Sequence, residues 1–115
     1  MSHALIIDDN VILSRAIRSR LEAFGFDSFD YTWAEQQALE AAASRAPDLI
    51  VVGDTIADGS PLGVAGRLAA SGDVPVLFVT TQSFMLQRRA ADSELIDGPH
   101  RLSELDQVLA AFQAR

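Results

Sequence analysis

Short apolar runs alternate with longer amphipathic stretches along this chain. Five runs are predicted to be strands, at residues 4–8, 27–32, 48–53, 75–80 and 94–97. Three of them are apolar throughout their centres, which is typical of parallel strands covered on both faces. Stretches with helical spacing of apolar positions lie between and after these runs. The predicted helices cover residues 11–24, 34–45, 62–71, 83–91 and 102–113.

Residues that favour helix ends agree with these boundaries. Asn10 is placed to cap the first helix, and Gly25 follows its end. Thr32 and Glu35 have the spacing of a capping box before the second helix, and Pro47 follows that helix. Alternating strands and helices predict an α/β fold with a parallel sheet and right-handed crossovers. Five such units in 115 residues indicate a flavodoxin-like, doubly wound sheet with strand order 2-1-3-4-5.

The second predicted strand differs from the others because its side chains alternate in character. Phe29, Tyr31 and Trp33 alternate with polar residues, as expected for an edge strand with one buried face. Five of the eight aromatic residues fall between positions 24 and 33. These aromatic residues form either a wall of the core beneath the flanking helices or a docking surface at the edge of the sheet.

Composition narrows the range of functions. The chain has 16 acidic and 9 basic residues, a net charge of −7 and no cysteine. Every basic residue is arginine, so lysine-dependent chemistry is excluded, and so are cysteine nucleophiles, thiolate metal sites and disulfides. The acidic balance argues against binding to nucleic acid or to a membrane surface. No targeting or membrane-spanning segment is recognisable, so we expect one cytoplasmic domain over residues 1–115 with no output domain.

Polar residues follow the predicted strands at the edge where doubly wound sheets bind ligands. Asp8 and Asp9 follow the first strand, Gly53 and Asp54 follow the third, and Thr80 follows the fourth. Adjacent carboxylates offer the hard oxygen ligands that Mg²⁺ prefers, but they also occur simply as caps of a helix N-terminus. The sequence therefore predicts a rim rich in carboxylates, with a hydroxyl group beside them.

Several segments resemble the receiver domain of two-component response regulators, over residues 3–113. The matching segments are residues 5–10, 46–52, 58–59, 74–80 and 98–105. The resemblance implies a signalling domain that is not an enzyme. Its expected partner is a histidine kinase or another regulator.

The resemblance also assigns roles to individual residues and shows two departures from the family. Asp8 and Asp9 match the acidic pair that holds Mg²⁺, and Thr80 matches the switch hydroxyl. The phosphorylated aspartate of the family corresponds to Gly53, and its lysine corresponds to Gly98. With both groups lost, we expect a weak or vestigial Mg²⁺ site and no required cofactor.

Three functions remain open at this stage. The first is a stand-alone, degenerate receiver (a pseudo-receiver) that acts through protein–protein interaction. The second is a phosphoaccepting regulator that uses Asp54, although strand alternation points Asp54 away from Asp8 and Asp9 unless a bulge at Gly53 turns it back. The third is a small flavin- or nucleotide-binding protein, which is disfavoured because residues 8–11 would repel a phosphate after the first strand.

A candidate partner surface lies in the predicted fourth helix, where consecutive apolar residues precede two arginines. In receivers this region often mediates dimerisation or partner contact. The apolar residues here therefore form either a surface for a possible homodimer or another partner, or part of a locally rearranged core. The residues concerned are Phe84, Met85, Leu86, Arg88 and Arg89.

Overall fold

The computed structural model describes residues 2–71, 74–81 and 96–113, and these residues form one sheet with helices around it. The strands are β1 (His3–Ile7), β2 (Ser28–Thr32), β3 (Leu49–Val52), β4 (Val76–Thr80) and β5 (Ile96–Arg101). The helices are α1 (Val11–Ala23), α2 (Glu35–Ser44), α3 (Pro61–Ser71) and α4 (Leu105–Gln113), the last preceded by a short 3-10 helix at Leu102–Glu104. The predicted helix at residues 83–91 lies outside the described residues.

The sheet has the order β2-β1-β3-β4-β5, and every neighbouring pair of strands is parallel. The predicted fold class and strand order are therefore confirmed. The chain places β2 on one side of β1 and β3 on the other, so the strand order reverses at β1. In such sheets the crevice at this switch point, beyond the carboxyl ends of the strands, is the usual place for a ligand site.

Two apolar cores cover the two faces of the sheet, because successive side chains of a strand point to opposite sides. Leu5 and Ile7 belong to the core packed against α2 and α3, while Ala4 and Ile6 belong to the core packed against α1 and α4. Every residue of β1, β3 and β4 is buried, and all of them except His3 and Thr80 are apolar. Burial of each large apolar side chain stabilises the fold by about 1.5–3 kcal/mol.

The expected end signals of α1 are confirmed. The side-chain oxygen of Asn10 accepts hydrogen bonds from the backbone N–H groups of Ile12 (2.9 Å) and Leu13 (3.3 Å). Gly25 follows the helix with a φ of 98°, a conformation that glycine adopts without strain. The first helix therefore begins and ends where its local sequence indicates.

The predicted capping box of α2 is wrong. Thr32 is buried in β2, where its hydroxyl donates to the backbone carbonyl of Ile6 at 3.5 Å instead of capping the helix. The residue before the helix is Ala34, whose side chain has no capping group. The backbone N–H of Glu35 donates to the carbonyl of Asp58 at 3.1 Å. A contact from a distant loop thus replaces the local cap.

The fifth strand is longer than predicted. The structure places Gly98 and His100 within β5, whereas the sequence suggested that they follow a strand ending at residue 97. Pairing with β4 shifts between the pairs Leu77–Asp97 and Val79–His100, so β5 holds one extra residue there. Gly98, which lies just beyond the predicted strand, is instead part of an irregular strand.

The aromatic residues at the second strand fall into two groups, one packed against the core and one exposed at the surface. The position of β2 at the edge of the sheet is confirmed. Phe29 packs against the core formed with α1 and α4. Tyr31 and Trp33 are 38% and 51% exposed, so they are not part of the core wall.

Two glycines with opposite surroundings give a stability test. A Cβ on Gly98, whose φ is 133°, would lie 2.5 Å from the backbone oxygen of Phe78, whereas a Cβ on Gly66 in α3 meets nothing within 4 Å. We expect Gly98→Ala to lower the free energy of unfolding by about 1–3 kcal/mol. Gly66→Ala should raise it by about 0.5–1 kcal/mol. Urea unfolding followed by circular dichroism measures both, and equal stabilities would contradict the assigned backbone of β5.

Candidate functional site at the strand ends

The candidate site is built around Asp8, at the switch point of the sheet. The backbone N–H of Asp8 donates to the carbonyl of Thr32 (3.0 Å), and that of Gly53 donates to the carbonyl of Ile7 (2.9 Å). These bonds continue the sheet one residue beyond β1 and β3. Asp8 is only 5% exposed as a result, which is unusual for a carboxylate.

The carboxylate of Asp8 packs directly against the backbone of Gly53. A Cβ built on Gly53 would lie 1.9 Å from Oδ2 of Asp8 and 2.6 Å from its carboxyl carbon. The carboxylate also accepts hydrogen bonds from the backbone N–H groups of Asn10 and, at 3.4 Å, Thr55. Asp8 therefore occupies the space that any side chain at position 53 would need.

Burial raises the pKa of Asp8 above its ordinary value of 3.8, because desolvation disfavours the charged form. The hydrogen bonds from Asn10 and Thr55 oppose this rise by stabilising the carboxylate. The negative charges of Asp9 and Asp54 add smaller contributions that raise the pKa further. The surroundings of Asp8 thus disfavour the charged form of its carboxyl group.

Asp9 turns outward and is tied to the loop after β3. Its side chain accepts a hydrogen bond from the hydroxyl of Thr55, and its backbone N–H donates to the carbonyl of Thr55 at 3.0 Å. Thr55 directly follows Asp54 in the sequence, and the sequence alone assigned it no role. A hydroxyl two residues after the predicted acceptor position is the signal that could have indicated this link.

Asp54 lies beyond β3, and its carboxylate bonds to Thr81. Oδ2 accepts from both the backbone N–H and the hydroxyl of Thr81, each at 3.0 Å. Oδ1 is buried and has no hydrogen-bond partner among the described residues. These bonds therefore hold Asp54 toward the end of β4. The side of Gly53 from which a Cβ would project faces Asp8 instead.

The other sequence-predicted site residues are placed as follows. Thr80 is the last residue of β4 and is 1% exposed. Gly98 lies in β5 beside the backbone of Phe78, so a lysine side chain at this position would not fit the present backbone. The residues of the predicted partner surface all lie outside the described part of the chain, namely Phe84, Met85, Leu86, Arg88 and Arg89.

The donor set at this rim fits a Mg²⁺ ion poorly. Mg²⁺ requires a nearly ideal octahedron of oxygen atoms. Both oxygens of Asp8 already accept backbone hydrogen bonds, and one oxygen of Asp9 accepts from Thr55. Within residues 2–71, 74–81 and 96–113, no group of three or more His, Asp or Glu side chains is arranged to hold a metal ion.

The strand order and helix arrangement define the class of fold, which is that of CheY-like receiver domains. A response regulator receiver domain from Methylobacillus flagellatus matches with a TM-score of 0.73 and 24% identity, over 96% of this chain and 98% of that one. The receiver domain of PhyR from Erythrobacter litoralis matches with a TM-score of 0.77 and 23% identity, over 98% of this chain and 90% of that one.

Sequence similarity indicates the same class. The KDP operon transcriptional regulatory protein KdpE of Escherichia coli (strain K12) is 31% identical over 83 residues, which are 72% of this chain but 36% of KdpE. The matched segment thus spans about a third of that protein. No protein family model matches the chain. Fold and sequence similarity together support a response-regulator receiver domain of two-component signalling. Among the described helices, none is long and apolar enough to cross a membrane.

The raised pKa of Asp8 predicts a pH-dependent stability. In the folded state Asp8 holds its proton more tightly than in the unfolded state, so stability falls as pH rises from about 3.8 through the raised pKa. Asp8→Asn carries no charge to desolvate, so its free energy of unfolding relative to wild type should increase over this interval and then level off. Urea unfolding across a pH series measures the difference.

The exposed residue Glu104 provides the control for this test, since Glu104→Gln removes a carboxylate from the surface without breaking an ion pair of the described residues. A difference between Asp8→Asn and wild type that does not change with pH would contradict the role of desolvation at Asp8.

The contact between Asp8 and Gly53 predicts a strong coupling between the two positions. Gly53→Ala forces the Asp8 carboxylate out of its place and away from its backbone donors, with an expected cost of about 1–3 kcal/mol. In an Asp8→Gly background the same substitution meets neither the carboxylate nor the Cβ of Asp8, which would lie 2.9 Å away, and it should cost much less. A double-mutant cycle of unfolding free energies measures the coupling. Equal costs in both backgrounds would show that the contact does not limit position 53.

Proposed function

We propose that this chain is a receiver-type signalling domain that is not phosphorylated at its strand-end rim and acts by binding another signalling protein. The observation that carries the proposal is the contact between the Asp8 carboxylate and the backbone of Gly53. The position that carries the acceptor in the resembled family has no side chain here, and its space is filled. The proposed partner is a histidine kinase or another regulator.

The electrostatics of the rim support this proposal. Phosphoryl transfer depends on positive groups that neutralise the charge of the transferred group. The chain has no lysine, and the arginine ion pairs among the described residues involve Glu22, Asp106 and Glu35, not the acids of the rim. Among the described residues, no arginine is ion-paired with Asp8, Asp9 or Asp54 to neutralise the charge of a transferred phosphoryl group. We propose that Mg²⁺ binds weakly at this rim and that no cofactor is required.

A second candidate function is phosphorylation of Asp54. The observation that favours it is the buried oxygen Oδ1 of Asp54, which has no hydrogen-bond partner in the described part of the chain. The hydrogen bonds from Thr81 oppose it, because they hold the other oxygen toward the end of β4. The two candidates differ in one measurable result, the presence of a phosphoryl adduct on Asp54.

Incubation with acetyl phosphate and Mg²⁺, followed by intact mass measurement, tests both candidates. We expect no phosphoryl adduct on the wild-type chain, while a conventional receiver with its aspartate and lysine is modified in parallel. Asp54→Asn is the matched variant. An adduct on the wild type that is lost in Asp54→Asn would establish the second candidate and exclude the first.

Gly53→Asp tests whether restoring the carboxylate restores the chemistry. We expect this variant to remain unmodified by acetyl phosphate, because Asp8 occupies the required space and no lysine is present. Stoichiometric modification of Gly53→Asp would show that the missing aspartate was the only barrier to phosphorylation.

Binding to a signalling partner needs a separate measurement. Purified histidine kinases and response regulators of the source organism are titrated with the domain by calorimetry, and autophosphorylated kinases are then mixed with it. The proposal expects at least one kinase or regulator to bind and no labelled phosphate to reach the domain. Transfer of label to the domain would contradict the proposal, as would the failure of the whole set to bind.

A further inference from the structure

A cavity of about 550 Å³ lies in the groove between α1 and the edge strand β2. The wall on the side of α1 includes Val11, Arg15 and Arg18, and the wall on the side of β2 includes Tyr31 and Trp33. The volume falls within the range of sites for small molecules, roughly 300–1,000 Å³. The receiver-type mechanism considered above uses no part of this groove except its acidic end.

The groove has two chemically different ends. Asp9 and Trp33 lie where β1 and β2 have ended, at the rim of the sheet. From this rim α1 runs back along the sheet, and Arg18 lies about 10 Å farther along its axis than Val11, at 1.5 Å per residue. Tyr31 is paired with Ile6 inside the sheet, on the same inner part of the groove. The cavity is therefore acidic at the rim and basic at its inner end.

The inner end is held in place before any ligand binds. The guanidinium group of Arg18 donates to the hydroxyl of Tyr31 (3.0 Å) and to Glu22 (3.2 Å). It also lies 5.1 Å from the centre of the Phe29 ring, within cation–π distance. These contacts connect α1 to β2. Because Arg18 is engaged in these contacts, Arg15 is the cation that is available to a ligand in the cavity.

Arg15 is exposed and forms no ion pair with any described residue. Arginine binds phosphate and carboxylate groups strongly because its planar group donates two parallel hydrogen bonds. A guanidinium group in a partly apolar cavity is thus a suitable anchor for the anionic group of a ligand.

The rim end offers a stacking surface and hydrogen-bond acceptors. Trp33 is 51% exposed, yet its backbone is fixed by hydrogen bonds to Gln37 (3.2 Å) and Ala57 (2.7 Å). An exposed indole on a fixed backbone can stack on a planar ring. Asp9 supplies carboxylate oxygens, which accept from N–H groups and repel anions. A ligand would therefore enter with its donors toward Asp9 and its anionic group toward Arg15.

We propose that this cavity binds a small planar heteroaromatic anion. Its ring stacks on Trp33, its ring N–H or amino groups donate to Asp9, and its phosphate or carboxylate group pairs with Arg15. Asp8 and Asp9 line the rim end of the cavity, but the proposed contacts with Arg15 and Trp33 do not involve the packing of Asp8 against Gly53. The proposal does not depend on the absence of phosphorylation. Binding of such a ligand would regulate the domain without transfer of a phosphoryl group.

Guanosine 5′-monophosphate and pterin-6-carboxylate are suitable probes, since both combine a planar ring, N–H donors and an anionic group. The first carries phosphate and the second carboxylate, so their relative affinities identify the preferred anion. Isothermal titration calorimetry measures binding, and Trp33, the single tryptophan of the chain, reports stacking by fluorescence quenching. We expect at least one probe to bind more tightly than guanosine, which lacks the anion, and ribose 5-phosphate, which lacks the ring.

Variants locate the site. Arg15→Gln and Trp33→Leu should each weaken binding about tenfold, as expected for loss of an anion anchor or a stacking surface. Arg45→Gln removes an exposed arginine outside the cavity and should bind like the wild type. Circular dichroism checks that each variant is folded.

Three results would overturn the proposal. The first is that neither probe binds at concentrations up to about 1 mM, a Kd that corresponds to only about −4.1 kcal/mol. The second is that ribose 5-phosphate binds as well as the complete probes, or that Arg15→Gln and Trp33→Leu bind like wild type. The third is a dimer seen by sedimentation equilibrium that Trp33→Leu dissociates, because a second copy of the chain would then occupy the groove.

Discussion

The packing of the Asp8 carboxylate against the backbone of Gly53 is the constraint on which the rim of this sheet depends. It joins the ends of the two central strands, β1 and β3, at the point where the strand order reverses. A carboxylate enters this buried position because glycine leaves room for it and two backbone N–H groups bond to it. The free energy of desolvation is only partly offset by these bonds, as the raised pKa of Asp8 indicates.

Most of the fold could be predicted from the sequence because the decisive signals are local. The unbroken apolar runs of β1, β3 and β4 indicate strands buried on both faces, and Asn10 marks the start of α1. The predictions from local sequence were wrong where a distant segment of the chain contacts the backbone. The start of α2 is satisfied by the carbonyl of Asp58 instead of Thr32, and Gly98 is accommodated in an irregular strand because β4 continues beside it.

The candidate site was predictable in its residues but not in its contacts. Once the strand order is predicted, the sequence alone places Asp8, Gly53 and Asp54 at the same edge of the sheet. The links of Thr55 to Asp9 and of Thr81 to Asp54 depend on loop conformations that no local pattern specifies. The groove beside α1 was beyond sequence reasoning too, because Arg18 and Tyr31 meet only after the helix packs on the edge strand.

The contact at Gly53 also has an evolutionary consequence. Every glycine codon becomes either an aspartate or a glutamate codon by a single base change, so mutation readily offers an acidic side chain at this position. In this protein that change places new atoms where the Asp8 carboxylate already lies. An acidic residue at position 53 can be accommodated only after other substitutions allow the Asp8 carboxylate to adopt a different position. The order of substitutions, and not their number, then controls whether position 53 can accept an acidic side chain.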